Sequence, residues 1–391
     1  MKSLKLLILI LSVFQITGCR ETAVPEKLVS QVDSISAVFV PVNGEALCHI
    51  DLYMADGGFL VIKGETNLPA AKDELIALME RSGHEFSDSI RVLPDTTKVK
   101  KPWGLVTLSV CNMRGRPAHA GEMVTQAIMG TPVKILDRRG GWFFIQTPDS
   151  YLGWTNDAAI AELTQSEMDA WRGSGRVIYT RNIGDLKGDD GEVVTDLVMG
   201  SVLKKEAETG DRYIVSLPDG RRGILSKSDA ADFSLWASEK QPVAGDLIAF
   251  GKSLLGSPYL WGGTSTKGID CSGFVKITYF TSGMILARDA SSQYLYGREI
   301  PMETSLDSLL PGDLVFFGHM RDGKKWMGHT GMYIGDTEVI HSSGMVKINS
   351  LDTTRANYSE YLGSIFLGAK RFIGVPPEKG YQRVAEHNWY F

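Results

Sequence analysis

Hydrophobic and polar positions alternate with a helical period in one early stretch of the chain, "LPAAKDELIALMERSG". Leu75, Leu78 and Met79 share one face of the predicted helix, and Gly83 is a suitable residue to end it. No other pattern between residues 20 and 98 is as clear. We therefore predict a small helical N-terminal domain over this range.

The pattern changes to short β-type runs in the middle of the chain. Examples are "PVKIL", "WFFIQT" and "YIVSL". These runs are separated by turn residues such as Gly, Asp and Pro. The segments "GEMVTQAIMG" at 121–130 and "GEVVTDLVMG" at 191–200 are identical at six of ten positions and lie 70 residues apart. Self-similarity at a fixed offset indicates two copies of one unit. The sequence thus predicts two small β-barrels, over 99–165 and 166–236.

Both copies resemble bacterial SH3 domains, but their aromatic residues differ. Trp142, Tyr151 and Trp154 of the first copy have no aromatic counterpart 70 residues later. Aromatic residues near turns can be core residues, yet their loss from one copy favours a contact surface on the first copy alone. Glu122 has a counterpart in Glu192, so a shared structural role for this acid stays open.

The apolar run at residues 6–16 predicts an export signal. Lys2 and Lys5 precede it, and it is too short for a bilayer span, which takes about 20 residues. The following "ITGC" resembles a bacterial lipobox, so we expect a signal peptide over 1–19 and a lipid anchor on Cys19. An ordinary signal peptide is the alternative. The anchor predicts a bacterial cell-envelope protein, facing the periplasm or on the outer membrane, and leaves the membrane and its face open.

Composition and net charge indicate which classes of binding partner and cofactor to expect. The chain has 41 Lys and Arg against 46 Asp and Glu, a net charge of −5, so a nucleic-acid interface is not indicated. Cys48, Cys111 and Cys271 would remain after export, and an odd number leaves at least one free thiol. Because no CxxC or CxxH spacing is present, we predict neither a metal nor another cofactor.

The segment "GIDCSGFV" at 268–275 places Cys271 where a helix is predicted to begin. Asp270 is a natural N-cap, and apolar residues recur at helical spacing after it. The free N–H groups of a first helical turn favour an anion, so we expect a stabilised thiolate. Cys271 is therefore the predicted nucleophile, with a buried structural cysteine as the alternative.

The segment "MGHTGMYIGDTEVIHSS" contains two candidates for a base beside this thiol, because His329 and His341 lie on two predicted strands. An odd-numbered loop centred on Gly335 would make the two histidines neighbours on one face of the sheet. A two-residue turn starting at Gly335 would place them on opposite faces. As neighbours, His329 would be the base for Cys271 and His341 would orient it. His319 competes for the role of base.

These segments together resemble a known family. The chain contains, in this order, "GIDCSGFV", "LLPGDLVFF" and "GHTGMYIG", and His341 follows His329 after twelve residues. This order and spacing resemble the NlpC family of papain-like bacterial cell-wall peptidases. The resemblance covers roughly residues 240–370 of a predicted domain at 237–391. With the repeat, it implies a multidomain protein in which an α+β papain-like catalytic domain follows two SH3-like β-barrels and the helical N-terminal domain.

The resemblance also implies roles for matched residues. Cys271 matches the nucleophile, His329 the base and His341 the third polar residue. "SPYLWGG" places a tyrosine near the nucleophile as a donor to the oxyanion, beside the N–H of the cysteine. In the related branch an acid and a tyrosine of the first SH3 domain bind a free amine of the substrate. The implied substrate contacts are Tyr259, Asp270, Ser272, Ser291, Glu122 and Tyr151.

The implied activity is a cysteine peptidase that cleaves peptidoglycan stem peptides between γ-D-glutamate and the diamino acid. Its expected substrates are turnover fragments with a free L-alanine, and we expect a monomer. An endopeptidase of intact polymeric peptidoglycan is the alternative, because the same three catalytic residues serve both. A non-catalytic wall-binding protein and an acyltransferase or amidase are further alternatives. The sequence leaves open whether diaminopimelate or lysine is accepted, and what the N-terminal domain does.

Overall fold

The computed structural model describes residues 23–42, 44–55, 59–301 and 306–391. The predicted signal peptide and Cys19 lie outside these residues. The described chain forms two compact units, one of residues 23–39 and 48–91 and the other of 40–47 and 92–391. Within the described part of the chain, no helix has the length and apolar character needed to cross a bilayer.

The N-terminal unit contains a sheet that the sequence analysis missed. Its elements are α1 (Glu26–Phe39), β1 (Cys48–Met54), β2 (Leu60–Thr66), α2 (Pro69–Arg81) and β3 (Phe86–Val92). The three strands are antiparallel in the order β1-β2-β3, and both helices contribute to the core of the unit. The predicted face of α2 is buried as expected.

The predicted helical domain is therefore an α+β domain instead. In β1, Ile50 and Leu52 pack towards the core while His49 and Asp51 are exposed. This period-two alternation is a strand pattern. The pattern is confined to β1, since the positions of β2 and β3 do not alternate regularly.

Residues 103–232 form two seven-stranded antiparallel sheets, which we call the first and second repeat domains. The strands of the first are β4 (Trp103–Val106), β5 (Val110–Arg114), β6 (Met123–Ile128), β7 (Pro132–Arg139), β8 (Trp142–Gln146), β9 (Leu152–Asn156) and β10 (Ile160–Leu163). After α3 (Gln165–Arg172), the strands of the second are β11 (Arg176–Tyr179), β12 (Ile183–Lys187), β13 (Val193–Val198), β14 (Val202–Thr209), β15 (Arg212–Ser216), β16 (Arg222–Ser226) and β17 (Ala230–Asp232).

The two repeat domains have the same topology. The strand order is β10-β4-β7-β8-β9-β5-β6 in the first and β17-β11-β14-β15-β16-β12-β13 in the second. Each strand thus has a counterpart at the same place in the other sheet. The internal repeat of the sequence is also a repeat of structure.

Both repeat domains use the same position to contact the catalytic domain. Gln126 Oε1 accepts hydrogen bonds from Thr264 N, at 3.0 Å, and from Ser265 Oγ, at 3.1 Å. Seventy residues later, Asp196 forms an ion pair with Lys267. One short loop of the catalytic domain is therefore held by both copies.

The catalytic domain packs helices against a six-stranded antiparallel sheet of order β21-β26-β22-β23-β24-β25. A short helix, α4 (Phe233–Glu239), precedes it. Its elements are α5 (Ala244–Ser253), β18 (Thr264–Ser265), β19 (Gly268–Ile269), α6 (Cys271–Phe280), β20 (Met284–Leu286), α7 (Ala290–Gln293), β21 (Arg298–Ile300), β22 (Leu314–Arg321), β23 (Lys324–Gly335), β24 (Glu338–Ser343), β25 (Met345–Ser350), α8 (Glu360–Ser364), β26 (Phe366–Arg371) and β27 (Tyr381–Arg383).

Helix α6 is the buried centre of this domain. Nearly all of its residues are buried, and Phe274 packs in one cluster with Met332 and Ile340 of the sheet. Burying a side chain of this size stabilises the fold by about 1.5–3 kcal/mol. Lys276, which is only partly buried, pairs at 3.2 Å with Asp149 of the first repeat domain. The packing of α6 in this core therefore fixes the position of its first residue, Cys271.

Candidate active site

Cys271 is the first residue of α6, and its neighbours fix the start of that helix. Asp270 is the N-cap and accepts a hydrogen bond from Gly273 N at 2.7 Å. The Cys271 sulfur receives backbone hydrogen bonds from Ser272 and from Thr330 of β23. The thiol thus lies between the helix and the strand that carries His329.

A buried arginine supports the residues on both sides of this cysteine. Arg288 is 2% exposed, and its Nη2 lies 2.5 Å from Asp270 Oδ2. It also donates to Ser272 Oγ at 2.9 Å and to Thr125 Oγ1 of the first repeat domain at 2.8 Å. The side chains of Asp270 and Ser272, predicted to bind substrate, are therefore engaged within the protein. The sequence analysis did not identify Arg288.

The two histidines share one face of the sheet through a β-bulge. Gly335 pairs with Glu338 across a two-residue turn at 336–337. A bulge just before Gly335 adds one residue to β23, so the pairing before it is Met332 with Ile340. Continuing that register places His341 opposite Gly331, diagonally next to His329. The expected shared face is found, but neither turn considered from the sequence is the one observed.

The space for His341 comes from Gly331. A Cβ atom at residue 331 would lie 2.8 Å from the Cβ of His341. A larger residue there would force the two strands or the imidazole to shift. The glycine of "HTGM" is therefore required by the contact between β23 and β24.

Hydrogen bonds determine which ring nitrogen carries a proton. His329 Nε2 is 2.8 Å from His341 Nδ1, and His341 Nε2 is 3.0 Å from Asn349 Oδ1. The amide of Asn349 is oriented because its Nδ2 donates to the Asn357 carbonyl at 3.1 Å. With neutral rings, His341 must donate from Nε2 and accept at Nδ1. His329 then donates from Nε2, which leaves a lone pair on its Nδ1 as the base.

Burial keeps the resting thiol and imidazole uncharged. Burial and the negative charge of Asp270 raise the pKa of Cys271 to about 11, although the hydrogen bonds to its sulfur act in the opposite direction. Burial, with the charges of His341 and Lys347, lowers the pKa of His329 to about 3. Desolvation of the thiol therefore outweighs the helix N-terminus and favours the neutral thiol over the predicted stabilised thiolate. A nucleophilic thiolate therefore requires a base that takes the thiol proton of Cys271.

One cleft contains the residues that the sequence analysis proposed for substrate binding. Cys271 lies at its base, and Trp261, Trp326 and Met327 contribute to its walls. The proposed contacts that line it are Tyr259, Asp270, Ser272, Ser291, Glu122 and Tyr151. Burial and the nearby cysteine and aspartate raise the pKa of Tyr259 well above its ordinary value, so its hydroxyl remains a hydrogen-bond donor.

The first repeat domain forms one end of this cleft. Tyr151 is 8% exposed, and its hydroxyl donates to Asp289 Oδ2 at 3.0 Å. Trp261 Nε1 of the catalytic domain donates to Glu122 Oε1 at 2.8 Å. Two carboxylates and a phenol, contributed by both domains, therefore line this end of the cleft, which we call the acidic end.

Comparisons with known proteins agree with this architecture. Residues 256–366 match the NlpC/P60 family, and residues 113–160 match the bacterial dipeptidyl-peptidase Sh3 domain. A gamma-D-glutamyl-L-lysine dipeptidyl-peptidase of Bacillus cereus is 30% identical over 299 residues, which are 73% of this chain and 86% of that protein. This chain belongs to the NlpC/P60 family.

Further relatives of this NlpC/P60 protein are similar over most of their length. Dipeptidyl-peptidase 6 of Lysinibacillus sphaericus is 27% identical over 275 residues, which are 66% of this chain and 96% of that protein. A crystal structure of an NlpC/P60 family protein from Bacillus cereus superposes with a TM-score of 0.59 at 25% identity, over 69% of this chain and 99% of that one. The resemblance predicted from the sequence is confirmed.

Three side chains of this NlpC/P60 site were not found from the sequence: Arg288, Asp289 and Asn349. The first two belong to "RDASSQ", the same segment from which Ser291 was selected. An adjacent arginine and aspartate at a helix start could have been noticed there. Asn349 gave no such indication, because it lies on β25 and reaches His341 only through the strand pairing.

The competing base and the other cysteines are not among the residues that line the cleft. His319 is exposed on the β22–β23 hairpin, with its ring centroid 4.9 Å from that of Trp326. Cys48 and Cys111 are both free, and Cys111 is buried with its sulfur 2.9 Å from Thr155 Oγ1. Neither of the two can replace Cys271 as an accessible nucleophile in the cleft.

We expect Asn349 to control the pH dependence of the reaction. Asn349→Leu should lower kcat by about 10- to 100-fold, as removal of a partner that orients a histidine does. Asn349→Asp should instead favour protonated His341 and His329 and raise their pKa values. The base must be deprotonated to act, so the acid limb of kcat/KM should move to higher pH in Asn349→Asp. Identical limbs in wild type and Asn349→Asp would contradict the hydrogen-bonded chain.

Proposed function

We propose that this protein is a cysteine peptidase that hydrolyses the γ-D-glutamyl–diamino acid bond of peptidoglycan stem peptides. Its substrates in this proposal are fragments whose N-terminal L-alanine has a free amine, as released during wall turnover. The observation that carries the proposal is that Glu122 and Tyr151 of the first repeat domain lie in the same cleft as Cys271. The relatives named gamma-D-glutamyl-L-lysine dipeptidyl-peptidase support the choice of bond.

Acylation begins with a proton transfer. Nδ1 of His329 takes the thiol proton as the Cys271 sulfur attacks the γ-carbonyl carbon of D-glutamate. The new charge on the carbonyl oxygen is stabilised by the Tyr259 hydroxyl and by the N–H of Cys271, which has no intrahelical partner at the first position of α6. His341 accepts from Nε2 of His329 and so stabilises the imidazolium that forms.

The same groups complete the reaction. The imidazolium donates its Nδ1 proton to the amine of the diamino acid, and the C–N bond breaks to leave a thioester on Cys271. Neutral His329 then takes a proton from water, whose oxygen attacks the thioester carbonyl. The thiol leaves with that proton, and L-Ala-D-Glu is released.

The acidic end of the cleft suits a cationic group. Glu122 and Asp289 are acids, and Tyr151 supplies a hydroxyl between the two domains. A peptide ammonium is a triple donor that can pair with carboxylates in charge-assisted hydrogen bonds. In intact peptidoglycan the L-alanine nitrogen is an amide, which is neutral and bulky. Such a substrate would leave Arg288, whose Nη1 lies 3.9 Å from Asp289 Oδ1, as the cation nearest to this partly buried carboxylate.

The remaining assignments complete the proposal. The second repeat domain is a second SH3-like domain that acts through Asp196 and Lys267 to hold the catalytic domain. The enzyme acts as a monomer in the bacterial cell envelope, with Cys19 as its lipid anchor. Identical topology of the two sheets supports the first statement, and the sequence of residues 1–19 supports the last.

Paired peptides test the proposed substrate. The enzyme should hydrolyse L-Ala-γ-D-Glu-diaminopimelate or its lysine analogue with a kcat/KM about 100-fold or more above that of the same peptide N-acetylated, because an amide nitrogen cannot form the charge-assisted hydrogen bonds that an ammonium makes with carboxylates. Mass spectrometry of the products and the Cys271→Ala variant provide controls. Equal hydrolysis of both forms would contradict the amine site and favour a polymer-cutting endopeptidase.

The free amine should also give its own pH dependence. A peptide α-amino group has a pKa of about 8. The pKa of Cys271 is raised to about 11, so the nucleophile contributes no limb near pH 8. Above pH 8 the amine loses its charge, and we expect KM for the free tripeptide to rise while kcat changes little. Steady-state kinetics from pH 6 to pH 10 measure this, with slow hydrolysis of the acetylated peptide as the control, and parallel profiles would contradict it.

A further inference from the structure

A short segment before the first repeat domain lies against Tyr151 at the acidic end of the cleft. Leu152 N donates to the carbonyl of Gly44 at 2.7 Å, and Gln146 Nε2 donates to that of Glu45 at 3.2 Å. Leu47 packs on the apolar cluster that includes Leu152. Residues 44–47, which we call the strap, are therefore attached to β8 and β9 by backbone and side-chain contacts.

The strap packs directly on Tyr151. Gly44 has a φ of +86°, a left-handed conformation that favours glycine. A Cβ atom at this residue would lie 2.6 Å from Tyr151 Cε2, 2.7 Å from Cζ and 3.0 Å from the hydroxyl oxygen. The strap backbone thus contacts the hydroxyl end of the ring, at a distance that only a glycine permits.

The position of that hydroxyl determines its contact with Asp289. The Tyr151 hydroxyl donates to Asp289 Oδ2 at 3.0 Å, and a displacement of the ring by 1 Å would break this hydrogen bond. On its other side the ring is limited by the first repeat domain, in which Tyr151 is 8% exposed. The strap is therefore one wall of the space that holds Tyr151.

The strap also brings a third acid close to this end of the cleft. Glu45 is 7% exposed, and its Oε1 has no hydrogen-bond partner among the described residues. Its Oε2 is 3.7 Å from Lys379 Nζ. Burial raises the pKa of Glu45, and the nearby charges of Asp149 and Asp289 add to that effect. A cation bound near Asp289 would reduce this repulsion.

We infer that the strap is a specificity-determining element, in which Gly44 positions Tyr151 and thereby sets the preference for a free amine. This inference rests on the proposed function, since it concerns the same amine site. Gly44 is a positioning residue that acts through Tyr151.

The test is the ratio of kcat/KM for the free tripeptide to kcat/KM for the N-acetylated one. Gly44→Ala should lower this ratio about tenfold or more, because the charge-assisted contact at Tyr151 is lost. The rate on the acetylated peptide should stay within about twofold. The matched control is Gly140→Ala, which has a φ of +57° in the same domain but open space around its Cβ position.

A double-mutant cycle separates positioning from general damage. Tyr151→Phe should lower the ratio by itself, and Gly44→Ala added to it should cause no further loss, since both changes act on one hydroxyl. Leu47→Ala provides a variant without backbone strain in case Gly44→Ala does not fold, and it should lower the ratio in the same direction by a smaller factor.

The outcomes distinguish this inference from the proposed function. Equal rates of wild type on both peptides would overturn the proposed function and the inference with it. A discriminating wild type whose ratio is unchanged in both Gly44→Ala and Leu47→Ala would overturn the inference alone. An equal loss in Gly140→Ala, or additive losses in the double mutant, would also overturn it.

Discussion

The buried ion pair between Arg288 and Asp270 connects the start of the nucleophile's helix to the first repeat domain. Asp270 caps the helix that begins at Cys271, and Arg288 binds Asp270, Ser272 and Thr125 of the first repeat domain at once. Leaving one member of such a pair alone in the interior costs about 3–5 kcal/mol. The next residue, Asp289, accepts a hydrogen bond from Tyr151. Two adjacent residues of the chain, Arg288 and Asp289, therefore connect the nucleophile to the proposed amine site.

The two copies of one sheet serve this arrangement differently. In both, the residue at the same place in the sheet holds the loop at 264–267. Only the first copy adds Glu122 and Tyr151 to the cleft, although Glu192 occupies the equivalent turn in the second. A structural role of the turn and a substrate role of the acid are compatible, because the turn uses the backbone and the cleft uses the side chain. Of the aromatic residues that only the first copy has, Tyr151 lines the cleft, whereas Trp142 and Trp154 pack in an apolar cluster of that domain.

Local patterns were sufficient to predict some features, and long-range contacts decided the rest. The helix start at Cys271 and the repeat follow from residues close in sequence. The contact between His329 and His341 needed a bulge that no spacing reveals, and Asn349 entered through the next hairpin. Burial reversed the expected charge of Cys271, since desolvation depends on the residues around the thiol rather than on those before it in the chain. The sheet of the N-terminal unit was missed because only β1 has a regular alternation of buried and exposed positions, and β2 and β3 do not.

The central claim is that the first repeat domain and the catalytic domain together bind the substrate's free amine at a fixed distance from Cys271. A crystal structure of the Cys271→Ala variant with L-Ala-γ-D-Glu-diaminopimelate tests it most directly. The account predicts the alanine ammonium within hydrogen-bond distance of Tyr151 and Asp289, and the γ-carbonyl of D-glutamate against residue 271. A peptide bound with its amine at the open mouth of the cleft would contradict it.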